Sequence, residues 1–573
     1  MPTEDQPGRR HLGAPWKIAL AAALYLFAAG YLVGLSRHQV NPDGVAYIQI
    51  ARHYANGRAD LAVNSWWGPL LSWLLVPAVW LNVDPLLAVR LLGVVFGLGF
   101  AFCVALIRRH LRAGTGGLAT FAAALMLALT MLPAPVTPDL LTAFLLTWYF
   151  ARSLRVMLRG SASYALTTGV LGGVAYLGKP YALPFVACHL CLTALGRWRL
   201  VRGGLASGPV VRPIAAGMAG LAVVSLPWAA IISAHDGSLT FSSAGRCTRA
   251  WSAIPDDALG LLPHKLLQWP RAGRMTCWEN PIEVRHPWPT WSLAERGGLQ
   301  RQAKAIFLNV YDALADLKQV DAFGILLCGG ALGTFLGICR LRWSLSTREG
   351  IVRLWISASI ALYVAGYALI LVQNRYLWPI WGLLLVLSMH VLGADLLRVR
   401  CPSGRGEPEQ GERDRHRAAL GGVLTVCLFA SVGYTAVLTA YAWSGPGGAG
   451  TEADLLKDAV RTLRIEGVVA ANRWGLGLDA SYWGGATFLG RFAGTEPGAI
   501  AEELAPYGRT CVLVFSDEAL GDELARSPLF TVLGHAPLDR RGRSLRAFEF
   551  RPPPAQPAGA EAARTRAGSR PAR

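Results

Sequence analysis

NPDGVAYIQIARHYANG, residues 41–57, places an acid, Asp43, directly after an apolar stretch of membrane-spanning length and ahead of a second apolar run, NSWWGPLLSWLLVPAVW. Asp43, Tyr47, Ile50, Ala51 and Tyr54 recur at steps of three and four, which predicts a short helix with Asn56-Gly57 as its stop signal. Asp43 then falls in the first turn, where an acid caps a helix N-terminus or stands as a general base at a membrane surface.

The rest of the 573 residues places that helix in a lipid context. Hydrophobic residues make up 53% and charged residues only 16%, a balance unlike that of soluble domains. Apolar segments of about the ~20 residues that cross a bilayer recur along the chain. The reading is about eleven spans: 17–36, 86–107, 115–132, 138–157, 163–178, 181–196, 213–234, 323–340, 351–371, 376–396 and 418–441.

Charge decides against counting 68–82 as a further span. With that segment lying in the interface, RRHLR (108–112), ARSLRVMLR (151–159) and RWRLVRGGLASGPVVR (197–212) share one side, with ten arginines and no acid. The segments around Arg340 to Arg353, the run Arg398–Arg417 and Arg9-Arg10 join them, and by the positive-inside rule that side is the cytoplasm. The net charge of +19 is therefore an orientation signal, and no nucleic-acid partner is implied. The first span lacks a cleavage pattern and is expected to stay in the membrane.

The expected fold is thus an α-helical polytopic membrane protein of the inner (cytoplasmic) membrane. It has a cytoplasmic N-terminus (1–16), a transmembrane domain (17–441), and outer loops 37–85, with interfacial helices, and 235–322. A small extracytoplasmic α/β domain (442–551) follows. There, ADLLKDAVRTLRIEG has helical spacing, while GVVAAN, CVLVFS and LRAFEF read as strands. The tail 552–573 is too poor in apolar residues to pack and is expected to be disordered.

Further charges meet Asp43 at the same outer rim. Asp139 follows Pro138 in LPAPVTPDLL, Lys179 lies in the turn GKPYALP, and Arg375 in QNRYLWP opens a span. Each has a bland role available, helix capping for the acid and snorkelling for the cations. Together they suit a phosphate-bearing substrate, which Arg binds bidentately and Lys as a point charge. Tyr47, His53, Arg246, Trp278, Glu279, His286 and Tyr376 are candidates for substrate contacts, and Trp66, Trp67 and Trp73 either anchor the interface or line an entry for a lipid chain. Of the ten cysteines, Cys188 and Cys191 read as small buried side chains of a span, and Cys247 and Cys277 are open to a disulfide. No His and Cys set has zinc spacing.

PDGVAYIQIAR, GPLLSWLLVPAVWLNVDPLLAVRLLGVVFG, TPDLLTAFLL, GKPYALP and NRYLWP, in this order over roughly 17–400, resemble the GT-C superfamily of polytopic glycosyltransferases. The likeness is nearest to the branch holding protein O-mannosyltransferases and the lipid A aminoarabinose transferase. It implies a polyprenyl-phosphate sugar donor, an envelope glycan, lipid or protein acceptor, and no nucleotide. It also implies Asp43 as catalytic base, Asp139 in support, and Lys179 and Arg375 near the donor phosphate. Where several relatives carry two adjacent acids this chain has Asp43-Gly44, so a divalent metal is not supported, and SWWGPLL lacks the lysine of the aminoarabinose branch. The WWG at 66–68 matches the oligosaccharyltransferase signature only by accident. A flippase for lipid-linked sugars, the alternative, predicts charges at mid-bilayer depth and inverted repeats, whereas these charges stand at the rim; a non-catalytic envelope scaffold leaves their coincidence unexplained.

Overall fold

The computed structural model describes residues 15–111, 117–133, 135–251, 262–285, 288, 292–294, 297–318, 347–394, 449–538 and 543–552. The chain divides into two units, Met1–Gly260 with Pro287–Gly450, and Leu261–His286 with Thr451–Arg573.

The first unit is helical. Counting helices of eight residues or more, it contains α1 (Pro15–Ser36), α2 (Pro42–Ala55), α3 (Leu70–Trp80), α4 (Pro85–Arg108), α5 (Gly117–Met131), α6 (Asp139–Arg159), α7 (Ala162–Gly178), α8 (Ala182–Arg202), α9 (Val211–Asp236), α10 (Ala244–Trp251), α11 (Gly298–Lys318), α12 (Arg348–Ala368) and α13 (Trp378–Ala394). Helices run through every described span expected from the sequence; 323–340 and 418–441 lie outside the described residues. Four of them, α1, α4, α9 and α12, are long and apolar enough to cross a membrane. α1 turns Leu20, Leu24, Phe27 and Tyr31 outward, an apolar face that lipid covers at no cost in desolvation. α3, in the disputed 68–82 segment, has 11 residues, about 16 Å at ~1.5 Å per residue, too short to span.

Local chemistry sets the ends. Asp84 caps α4 by accepting a hydrogen bond from the Leu86 amide at 2.9 Å, with Pro85 at the first helical position. Thr347 caps α12 through the Gly350 amide at 3.1 Å. Inside the bundle, fully buried His189 of α8 meets the Tyr149 hydroxyl of α6 at 3.0 Å and the Ser359 hydroxyl of α12 at 2.9 Å. Three helices are tied by one imidazole whose two nitrogens are both satisfied, which is how a buried polar group is tolerated away from water. Cys188 and Cys191 correct the expectation of burial: both are exposed on α8. They lie one turn apart on its outer stripe, where a small weakly polar side chain meets lipid as readily as protein.

The second unit holds a five-stranded sheet of order β2-β1-β3-β5-β4, with β1 (Val468–Ala471), β2 (Thr487–Arg491), β3 (Thr510–Phe515), β4 (Phe530–Pro537) and β5 (Ser544–Phe550). β1 pairs in parallel with β2 and β3, and β5 is antiparallel to β3 and β4. Helix α14 (Ala449–Thr462) precedes β1, and α15 (Trp474–Gly484), α16 (Pro497–Leu504) and α17 (Glu518–Arg526) connect successive strands from β1 to β4. Val512, Val514, Phe548, Phe550, Ile500 and Leu524 form the core. The expected strands are present; β2 and β4 are additional. Leu261–His286, part of the outer loop 235–322 in the sequence reading, belongs here. Its backbone pairs with β2 at Leu266–Arg491 and Thr276–Phe488, and the Phe488 amide donates to the Met275 carbonyl at 2.8 Å.

Candidate active site

Two loops of the first unit are pressed together by one missing side chain. Asn41, at the N-cap of α2, turns its carboxamide oxygen outward to accept from the Val136 amide at 2.7 Å. A Cβ on Gly44 would lie 2.7 Å from Val136 Cβ and 3.0 Å from Asn41 Oδ1. Only glycine allows the first turn of α2 to reach the loop ahead of α6, and this approach brings Asp43 and Asp139 into one site. The departure from a paired-acid motif thus has a steric reason: a second acid at position 44 has no room. Gly44→Asp is expected to separate the loops and abolish function, with Gly44→Ala intermediate; a fully active Gly44→Asp variant, assayed on protein of wild-type melting temperature, would refute this packing.

A similar approach seats the WWG turn. A Cβ on Gly68 would fall 2.5 Å from the Leu177 carbonyl and 2.6 Å from that of Gly178, so Trp66-Trp67-Gly68 lies on the end of α7, next to Lys179. Trp67 meets Tyr47 edge-on at 5.0 Å, and Trp73 packs on Trp228 at 5.5 Å.

The four charges found in the sequence form an alternating chain. Arg375 donates from Nη2 to Asp43 Oδ2 at 3.0 Å, and its Nε stands 3.5 Å from Asp139 Oδ2. Lys179 Nζ binds Asp139 Oδ1. Thr137 Oγ1 donates to Asp139 Oδ2 at 2.8 Å, and Gln373 Oε1 accepts from Arg375 Nε at 3.0 Å. Asp139 is only 3% exposed, while Asp43 and Arg375 are each 20% exposed and Lys179 17%. Solvent or substrate thus reaches Asp43, Arg375 and Lys179, with Asp139 as the buried hub. Asp43 does not cap α2, since the N-cap is Asn41.

Burial sets the electrostatics. It pushes the Lys179 ammonium down to about 8, although the Asp139 carboxylate pulls the other way. Burial also opposes the charge of Arg375, but Asp139 and Asp43 more than offset it and hold that guanidinium raised. Tyr47, buried and in the field of Asp43, is raised well above its ordinary value and stays a neutral phenol. Lys179 sits over the Tyr376 ring at 3.5 Å, a cation–π contact that orients the ammonium without consuming its charge. Tyr376 is itself stacked on Tyr367 at 5.1 Å, and its carbonyl accepts from the Tyr363 hydroxyl at 3.0 Å.

The other candidates are dispersed. Tyr47 and Tyr376 stand at the charge chain. His53 is near the far end of α2, about 15 Å along the helix from Asp43 at ~1.5 Å per residue. Arg246 is exposed on α10 beside Cys247. Trp278 and Glu279 belong to the second unit, where Glu279 is fully buried and accepts from the Met275 and Thr276 amides at 2.7 and 3.2 Å. His286 lies outside the described residues. Cys247 and Cys277 are both free thiols. Among the described residues no group of three or more His, Cys, Asp and Glu is placed to hold a metal ion.

Sequence reasoning missed a clamp on the arginine loop. From α11, Asn309 donates to the Ala368 carbonyl at 2.9 Å and accepts from the Val372 amide at 3.3 Å. Gln302, two turns earlier, donates to the Leu369 carbonyl at 3.1 Å and accepts from Arg249 of α10 at 2.9 Å. These bonds satisfy the last carbonyls of α12 and fix the chain just before Arg375. The signal was a pair of carboxamides seven residues apart in QRQAKAIFLNV, on one helical face.

The helical first unit, with four helices long and apolar enough to cross a membrane, is that of a multi-pass membrane protein. Among solved structures the chain is similar in fold to ArnT from Cupriavidus metallidurans bound to undecaprenyl phosphate, at 14% identity and a TM-score of 0.54, with coverage of 93% of this chain and 98% of that one. ArnT in the apo state matches at 14% identity and a TM-score of 0.52, over 92% and 97% of the two chains. The archaeal oligosaccharyltransferase AglB from Archaeoglobus fulgidus, in complex with an inhibitory peptide and a dolichol-phosphate, is 10% identical with a TM-score of 0.49, over 87% and 70%. No protein-family model and no curated protein matches the chain.

Proposed function

We propose that this protein is an integral-membrane glycosyltransferase that moves a sugar from a polyprenyl-phosphate donor to a hydroxyl-bearing envelope acceptor, a glycan, lipid or protein, on the outer face of the inner membrane. The reading includes about eleven spans, a cytoplasmic N-terminus and an extracytoplasmic C-terminal domain. The observation that carries it is the chain Asp43–Arg375–Asp139–Lys179, two carboxylates and two cations at one end of an apolar helical bundle. Its likeness in fold to a protein solved with undecaprenyl phosphate supports the donor class.

In this mechanism Lys179 and Arg375 receive the donor phosphate. An arriving phosphate competes with the carboxylates for Arg375 and loosens its hold on Asp43. Asp43 then takes the proton of the acceptor hydroxyl as that oxygen bonds to the anomeric carbon. The bond from the anomeric carbon to the phosphate oxygen breaks, its electron pair stays with the phosphate, and the two cations balance the developing charge. Attack opposite the leaving group inverts the anomeric centre.

Reconstituting the full chain in vesicles with polyprenyl-phosphate sugars and a crude envelope acceptor tests the reading. Label should move to acceptor and free polyprenyl phosphate should appear. Passage of the lipid-linked sugar between leaflets with no transfer would sink it in favour of a flippase.

Lys179 adds a pH signature. With its ammonium titrating at about 8, kcat/KM for the donor is expected to fall as pH rises through that value. Lys179→Met should be slow at every pH and show no break there. Unfolding does not mimic this. Between about 8 and the ordinary 10.5 the unfolded chain holds more protons at this lysine, so its contribution to stability rises with pH.

A further inference from the structure

α11 is built inside out. Leu299, Phe307, Tyr311 and Leu314 are exposed on it, while Gln302 and Asn309 are 8% and 6% exposed and share the buried face with Ala313. A buried carboxamide is costly unless its donor and its acceptor are both used. Both side chains use both, and they do so on one short piece of backbone.

That piece leads from the end of α12 to the turn Asn374–Leu377, which carries Arg375. Asn309 spans it, donating to the Ala368 carbonyl at 2.9 Å and accepting from the Val372 amide at 3.3 Å. Gln302 holds the Leu369 carbonyl between them at 3.1 Å. The far side of this clamp is anchored too. Gln302 Oε1 accepts from Arg249 of α10 through Nε and Nη2 at 3.1 and 2.9 Å, and a Cβ on Gly245 of α10 would lie 3.7 Å from Ile370 Cδ1. At its start α10 is tied to the turn that holds Trp66 and Trp67. The Ser243 amide donates to the Ser65 carbonyl at 3.0 Å, and the two serine hydroxyls meet at 2.8 Å.

We propose that Asn309 and Gln302 are positioning residues for Arg375, which set where its guanidinium meets the donor phosphate without touching the substrate themselves. The inference rests on the sugar-transfer reading, in which Arg375 receives that phosphate. Arg375 is held from both sides. After it, the Tyr376 carbonyl is bound by the Tyr363 hydroxyl at 3.0 Å; before it, the backbone is held by the clamp. Removing the clamp leaves one anchor, and a displacement of about 1 Å at a group that must meet its substrate is enough to weaken its action. Tyr376, and with it the ring under Lys179, keeps its own anchor, so the effect is confined to the share of binding that Arg375 supplies.

The test is the affinity of the purified full chain in detergent for undecaprenyl phosphate, read by native mass spectrometry. Wild type, Asn309→Leu, Arg375→Gln and the double variant are compared. Leucine replaces the carboxamide with a side chain that makes neither hydrogen bond. Asn309→Leu should weaken binding roughly tenfold. In the Arg375→Gln background the same substitution should change affinity by less than about twofold, because the group it places is gone. Additive losses would mean that Asn309 supports the bundle as a whole and would overturn the proposal, as would wild-type affinity in Asn309→Leu. A wild type that holds no undecaprenyl phosphate would overturn the donor reading itself, and the proposal with it. If Asn309→Leu does not fold, Gln302→Leu is carried through the same cycle and the same outcomes decide.

Discussion

Replacing Asp43 with Asn is expected to cut sugar transfer by about two to four orders of magnitude, the usual loss when a general base is removed, while donor binding is kept. Asn has the same shape, and its carbonyl oxygen can still accept from Arg375 Nη2, now 3.0 Å from Asp43 Oδ2. The loop that carries Arg375 therefore keeps its anchor. What is lost is the capacity to take a proton. The fall should lie in kcat, with KM for the donor unchanged or lower, because the asparagine competes less well than a carboxylate for the guanidinium that receives the phosphate. Transfer by the Asn variant at the wild-type rate would remove Asp43 from the mechanism.

A second large effect is expected at Asp139. This carboxylate is 3% exposed and is held by Lys179, Arg375 and Thr137. Asp139→Ala strands Lys179 and leaves Arg375 with Asp43 as its remaining carboxylate, and breaking a buried pair from one side costs about 3–5 kcal/mol. The melting temperature should fall by several degrees and transfer should be lost. Adding Lys179→Met to Asp139→Ala removes one stranded charge, so the double variant should melt above Asp139→Ala alone. That non-additivity separates a charge network from a simple loss of packing. Additive effects of the two substitutions would mean that the pair is not coupled.

These residues were legible because charge is rare in an apolar chain. Asp43, Asp139, Lys179 and Arg375 each stood at the edge of a span, and helix spacing in DGVAYIQIARHYA placed α2 close to its observed limits, Pro42–Ala55. Their pairing was not legible. Arg375 is 332 residues from Asp43, and periodicity carries no information about which helix ends meet. Gly44 read as a departure from a motif, although it is the condition for the site's two loops to touch; a steric requirement shows only when the neighbour, Val136, is in place. β2, a five-residue strand interrupted by Gly490, was too short for alternation to reveal. Trp278 and Glu279 drew attention as an aromatic and an acid on an outer loop. Glu279 instead completes a capping box with Thr276, a use of the same residue types that local sequence does not distinguish from a binding role.

The backbone pairing of Leu266 and Thr276 with β2 also bears on the order of synthesis. Tyr507 donates to the Leu267 carbonyl at 2.6 Å across 240 residues of chain, so the ribosome releases one half of that contact long before the other. At roughly 5–20 residues per second, the early segment waits unpaired for some 12–50 seconds while later helices are made and inserted. A C-terminal piece begun at residue 451 would lack it altogether and leave the β2 edge open to other chains. The domain is finished last, but the segment that pairs with its β2 edge is laid down in the middle of the message.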